Sequence, residues 1–187
     1  MAKRIKFWLI AAALCAVSAA GVTVAFMFKK AEKTNLFVPA EVSCAVHEKT
    51  DGSDETGIYA VGGEKTDIRA ENTGNVKEYL RLKLVSYYVD ANGIVAGTAS
   101  HYPTLTLKNG WIAGADHTYY YPLPTDPGGM TGILCEPVTL ERAQLADGKT
   151  VYQVIELIAE AVQAEPVTAV EEAWGVTVTN NMITAVP

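Results

Sequence analysis

The chain has 187 residues, 49% of them hydrophobic, and a net charge of -6 from 15 Lys and Arg against 21 Asp and Glu. The acid excess argues against nucleic acid as a partner, because phosphate binding needs clustered Lys and Arg. The length is that of one domain able to bury its own core.

Lys3, Arg4 and Lys6 precede an uncharged apolar run from Phe7 to Phe28, and Lys29 and Lys30 follow it. A basic head before such a run is an export signal: the positive end stays in the cytoplasm while the apolar segment enters the membrane. The remainder is therefore read as an exported domain, which removes most cytoplasmic enzyme classes. The run matches the roughly 20 residues of a membrane-spanning helix. Its second half, Ser18 to Ala25, is instead small and β-branched, as near a signal cleavage site. Small-residue cut sites end at Ala19, Ala20 and Ala25, and the expected cut lies between Ala25 and Phe26. An uncleaved anchor reaching residue 30 is the alternative. Loss of residues 1–25 removes three basic residues and no acid, leaving 162 residues with a net charge of -9. The expected organisation is a signal at 1–25, an extended segment at 26–40 and a β-sandwich domain at 41–187.

Cys15 lies inside the apolar run and leaves with it, so Cys44 and Cys135 remain. In an exported domain they form either one disulfide or two buried thiols that pack as small hydrophobes.

Beyond a polar lead-in at Lys29 to Asn35, Phe37 to His47 reads as a strand, with Val42, Cys44 and Val46 on one face. Lys49 to Gly63 reads as a loop rich in Asp, Gly and Ser. Glu64 to Glu71 is a second strand. Asn72-Thr73-Gly74-Asn75 follows as a tight turn, on the ground that Asn and Gly tolerate positive φ. Tyr79 to Val89 gives the clearest alternation: Leu80, Leu82 and Leu84 face a core, Arg81 and Lys83 face water. Asp90-Ala91-Asn92-Gly93 predicts a hairpin returning at Ile94 to Ala96. Short β-like pieces follow at Leu105 to Leu107, Trp111 to Ala113, Tyr119 to Tyr121 and Thr131 to Leu134, a turn frequency that suggests a sandwich or barrel. Val151 to Ala164 fits a helical and a strand face alike and is assigned to a strand with its β-rich surroundings. Pro166 opens a short helix that runs to Trp174 and stops at Gly175. A strand from Val176 to Thr179 and a hairpin at Asn180-Asn181 close the chain.

Several stretches line up with one family. They are Gly21-Val22-Thr23-Val24-Ala25-Phe26, then Asn35-Leu36-Phe37-Val38-Pro39-Ala40-Glu41-Val42, and Glu71-Asn72-Thr73-Gly74-Asn75-Val76 leading into Tyr79-Leu80-Arg81. Trp111, Tyr119-Tyr120-Tyr121-Pro122-Leu123, Ala159-Glu160-Ala161-Val162-Gln163-Ala164 and Ala173-Trp174-Gly175 complete the set. In this order the chain resembles the exported TasA and camelysin-like proteins of Gram-positive bacteria, whose signal peptide is processed by a dedicated signal peptidase of the SipW kind. The resemblance covers nearly the whole chain. It implies a jelly-roll-like β-sandwich, secretion, and a role in the biofilm matrix or in cell-surface fibres. It also implies that the freed segment from Phe26 to about Ala40 adds as a strand to the next subunit. The chain departs from the family at Met27-Phe28-Lys29-Lys30, where aromatic or acidic residues are usual, and this keeps the anchor open.

Camelysin-like relatives are often described as metallopeptidases, so the resemblance raises the alternative of a metal site. His47-Glu48 begins like a zinc-protease helix, but position 51, where the second His belongs, is Asp. His101, Asp116 and His117 are the remaining metal candidates, without the spacing of a known ligand set. No serine sits in a Gly-x-Ser-x-Gly elbow, and Gly62-Gly63 and Gly128-Gly129 read as turns. Leu123-Pro124-Thr125-Asp126 lacks the Thr-Gly of a sortase signal. The aromatics Tyr87, Tyr88, Tyr102, Trp111, Tyr119, Tyr120, Tyr121 and Trp174 are assigned to the core, where large rings usually go. Alternation turns Tyr120 away from Tyr119 and Tyr121, so exposure of one of the two faces, where rings can stack on sugars, is the alternative.

The expected fold is all-β: a jelly-roll or Ig-like antiparallel sandwich with a short helix near its C-terminus, preceded by the signal or anchor helix. The expected function is a non-enzymatic matrix or surface protein without a cofactor. Its partners are other copies of itself or other matrix and surface proteins, a signal peptidase during export, and the membrane through the N-terminal helix before cleavage. A membrane-anchored binding module and a secreted metallopeptidase are the alternatives.

Overall fold

A computed structural model describes residues 39–51, 63–96 and 101–187. The signal run, the expected cut at Ala25 and Phe26, and most of the 26–40 segment lie outside the described residues. Among the described residues there are ten strands and one helix: β1 (Cys44–Asp51), β2 (Glu64–Asn72), β3 (Glu78–Val89), β4 (Ile112–Ala113), β5 (Thr118–Tyr120), β6 (Val138–Thr139), β7 (Arg142–Gln144), β8 (Thr150–Gln163), α1 (Val167–Trp174), β9 (Thr177–Thr179) and β10 (Met182–Ala185). All paired strands are antiparallel, and the architecture is the all-β one expected.

One sheet has the order β1-β2-β6 and the other β4-β5-β3-β8-β7; β9 and β10 form a separate hairpin. The spine is the β3–β8 pair, in register from Glu78 opposite Gln163 to Val89 opposite Tyr152. Its pattern follows from alternation. Leu80, Leu82 and Leu84 point to one face and are 0–1% exposed. There they meet Ile68 and Ala70 of β2, Leu134 and Cys135, Trp111, Tyr119 and Ile155 in the main core. Val151 to Ala164 resolves as strand because its inward residues meet β3 along the whole length.

The second face of the spine is also covered. Tyr79, Tyr120 and Ala164 pack beneath α1 and the β9–β10 hairpin, with Val170, Trp174, Val176 and Ile183. Tyr120 does turn away from Tyr119 and Tyr121, as alternation requires, but its face is a second core and not a solvent surface. Arg81 is likewise not simply wet. Its guanidinium lies 4.7 Å from the Trp174 ring centroid and 5.6 Å from that of Tyr120, and it pairs with Glu160. Lys83, two residues on, is the exposed one. The quoted pieces around Arg81, Tyr120, Glu160 and Trp174, scattered in sequence, therefore meet at one packing point.

Local signals place the ends well. Helix α1 follows Pro166 and stops at Gly175, whose φ of 66° suits glycine and whose N–H donates to the Glu171 carbonyl at 2.9 Å. Asn180 and Asn181 have φ of 52° and 59°, the pair of positive values that a tight hairpin turn demands.

Three sequence expectations change. Lys49 to Asp51 continue β1 and are not loop; a register irregularity between His47 and Lys49 absorbs the change, opposite Asp67, whose φ is 56°. Residues 52–62 of the expected loop are outside the described residues. Leu105 to Leu107 and Thr131 to Leu134 are not regular strands. The latter runs along β2 with separate bonds, Thr131 N–H to the Ala70 carbonyl and Leu134 N–H to that of Ile68, at 2.9 and 2.8 Å. β1, by contrast, begins only at Cys44, because Glu41 to Ser43 are bonded to a turn instead of a strand.

Replacing Leu82 by Ala should cost about 2–5 kcal/mol, since the site is fully enclosed between two sheets. Lys83→Ala should stay within about 0.5 kcal/mol. Urea unfolding with an unchanged slope checks both.

Candidate functional site

The N-terminal segment joins the body at Glu41 to Ser43, and the Asn72–Asn75 turn grips it there. Thr73 and Gly74 N–H donate to the Ser43 carbonyl at 2.8 and 3.1 Å, and Asn75 N–H donates to the Glu41 carbonyl at 3.0 Å. In return Glu41 N–H donates to Asn75 Oδ1 at 2.8 Å, and the Thr73 and Ser43 hydroxyls lie 2.8 Å apart. The turn itself is set by Asn72, which is fully buried. Its amide donates to the Val76 and Thr125 carbonyls, and its Oδ1 accepts from Gly74 N–H. Gly74 is needed for a reason other than the one read from sequence. Its φ is not positive; a Cβ there would collide with the Glu41 carbonyl oxygen and the Glu78 carboxylate.

Glu78, the first residue of β3, is 0% exposed. Its Oε1 accepts from Ser43 N–H at 3.0 Å, while Oε2 has no partner. Across the chain Thr125 exchanges main-chain bonds with Glu78, N–H to carbonyl at 3.1 and 2.7 Å, and the Thr125 hydroxyl also lacks a partner. One amide bond to a carboxylate contributes about 1.5–3 kcal/mol. Withdrawing an ion from water costs several kcal/mol even after relaxation. Burial wins, and it pushes the Glu78 carboxyl above the ordinary glutamate range against the pull of the Ser43 amide. The neighbouring Cys44 thiol is raised by burial and then by the charges of Glu78 and Glu160.

A cavity of about 390 Å³ opens beside the grip, lined by Ala40, Val76, Lys77, Gln163 and Glu165. Lys77 precedes Glu78 in the chain and Gln163 is the residue opposite it on β8. The cavity therefore sits where the N-terminal segment departs.

The sequence-derived candidates lie elsewhere. His101 Nε2 is 3.4 Å from Glu141 Oε1, and the His117 ring stacks on Tyr102 with centroids 3.5 Å apart. Asp116 and His117 both have positive φ, in a turn before β5. Among the described residues no three His, Cys, Asp or Glu side chains gather as a metal site. His47 is mid-strand and faces Glu71 at 2.5 Å, and Glu48 binds Lys65 at 2.6 Å, so neither belongs to a zinc-protease helix.

Of the two alternatives for Cys44 and Cys135, the structure has the separate thiols. Both are free thiols, and they flank β2 on opposite sides: Cys44 pairs with Asn72, whereas Leu134, beside Cys135, bonds Ile68. Two interstrand spacings amount to about 10 Å, beyond the roughly 7 Å a disulfide spans. Burial pushes the Cys135 thiol up to about 11.

Glu78 and Thr125 were not singled out from sequence. The available signal was a glutamate on the same face as Leu80, Leu82 and Leu84, where alternation calls for an apolar residue.

Gly74→Ala should destabilise by about 1–3 kcal/mol, as overpacking does, with a lowered urea midpoint as the readout. For Glu78, a raised folded value means the folded state holds the proton more tightly. Its contribution is thus full below the usual 4.5 and is lost as pH rises toward the raised value. Stability of Glu78→Gln should lack that component, so the difference between the two proteins should change with pH only in that window. A scan against protein-family models, a search of curated proteins and a search of solved structures find no match to this chain.

Proposed function

We propose that this is an exported, non-enzymatic structural protein of the cell surface or extracellular matrix, akin to the TasA and camelysin-like proteins it resembles. It self-associates by adding its 26–40 segment as a strand to the sheet edge of a neighbouring copy. The observation that carries the reading is the grip on Glu41 to Ser43. A donated strand transmits load to its own body where the segment leaves it. That point is fixed by main-chain bonds from a turn, which tie it to β2 and β3 and not to a mobile loop.

Acceptor edges exist. Among the described residues β1 and β6 end one sheet, and β4 and β7 end the other. End strands present unpaired N–H and C=O groups to which an extended segment can bond. The second reading, a membrane-anchored surface module, rests on the 22-residue apolar run with basic residues on both sides.

Deleting residues 26–40 should abolish self-association, read by sedimentation and electron microscopy, while circular dichroism of the body is retained. Assemblies that persist would overturn strand addition. Intact mass separates the two readings: a released chain starting at Phe26 supports the secreted subunit, and a cell-bound full-length chain supports the anchor.

A further inference from the structure

The grip contains a titratable group that strand addition by itself does not use. Glu78 is enclosed and accepts one bond from Ser43 N–H. Its second oxygen is unpartnered, and so is the hydroxyl of Thr125 across the main-chain pair. A protonated carboxyl suits such a place better than an ionised one: it keeps an acceptor for Ser43, and an unpaired O–H costs less than an unhydrated charge. An ionised carboxylate does not fit, because its free oxygen faces no donor. The charged neighbours do not supply one. Lys77 is engaged with Asp126 at 3.0 Å and Arg81 with Glu160. On β1 the facing group is the Cys44 thiol, on β8 the neutral Gln163, and in the turn Gly74 and Asn72. Glu41 and Glu165 at the exit are exposed and add only negative charge.

We propose that Glu78 is a proton-operated latch on the exit of the N-terminal segment. Protonated, it holds Ser43 and closes the grip. Ionised, it draws in water past the exposed Ala40 to Val42 chain beside the cavity, and the grip opens. The same residues that would bear the load of an added strand would then be loosened as pH rises. That consequence for assembly rests on the strand-addition reading; the latch itself does not.

The test is amide hydrogen exchange at Ser43, Gly74 and Asn75 in the whole chain, corrected for intrinsic rates. It is read together with the carboxyl carbon shift of Glu78 by NMR. Local opening should rise about tenfold per pH unit between the usual 4.5 and the raised Glu78 value, then level off. The Ser43 amide and Glu78 carboxyl should titrate with one midpoint, and Glu78→Gln should show no such rise. A Glu78 midpoint at the ordinary value, or opening that follows pH equally in Glu78→Gln, would overturn the latch. The wild-type titration alone decides the matter if the variant does not fold. Loss of the latch with assembly still dependent on residues 26–40 would remove only the regulation. A latch that titrates in a protein whose assembly ignores 26–40 would remove only strand addition.

Discussion

The hydrogen bonds between the Asn72–Asn75 turn and Glu41 to Ser43 are the constraint on which the rest depends. Each contributes only about 0.5–1.5 kcal/mol net, yet together they decide where β1 begins. They cannot form unless Asn72 is buried and satisfied, which in turn needs the Val76 and Thr125 carbonyls. They also require Gly74, since any side chain there would occupy the space of the Glu41 carbonyl. A short polar turn thereby couples the start of β1, the end of β2, the start of β3 and the 122–126 segment.

That turn is held in place by a spine that packs on both faces. β3 and β8 present leucines to the main core and Tyr79 and Arg81 to the layer beneath α1. Arg81 serves there because its flat cation can lie against Trp174 and Tyr120 while pairing with Glu160. The second layer covers the spine near its Glu78–Gln163 end, where Ala164 N–H donates to the Lys77 carbonyl at 2.8 Å. The exit is consequently mounted on the most extensively paired part of the body.

Much of this was legible in the residues. The alternation in Tyr79 to Val89, the Asn180-Asn181 turn, and the helix between Pro166 and Gly175 each follow from a local rule that tertiary contacts did not override. The all-β class followed from the turn frequency. What was not legible depended on contacts distant in sequence. Thr131 to Leu134 looked like a strand because it is apolar, but its bonds to β2 are too irregular to make one. Arg81 looked solvent-facing because alternation cannot show that a helix more than eighty residues later covers that face. The cysteines stayed open between a bridge and two thiols because sequence gives their number and not their side of β2. His101, Asp116 and His117 were metal candidates by residue type alone, without the spacing of a ligand set. Glu78 broke the apolar pattern of its strand face, and that break was the one trace of the exit site in the sequence.

The most direct measurement of strand addition is hydrogen exchange of the assembled protein against the unassembled one, resolved to the 26–40 segment. Strand addition predicts that amides in 26–40 slow markedly on assembly, as each gains a main-chain acceptor on a neighbour, at a pH where the 41–43 and 73–75 amides are protected in both. Equal exchange of 26–40 in the two states would contradict the account.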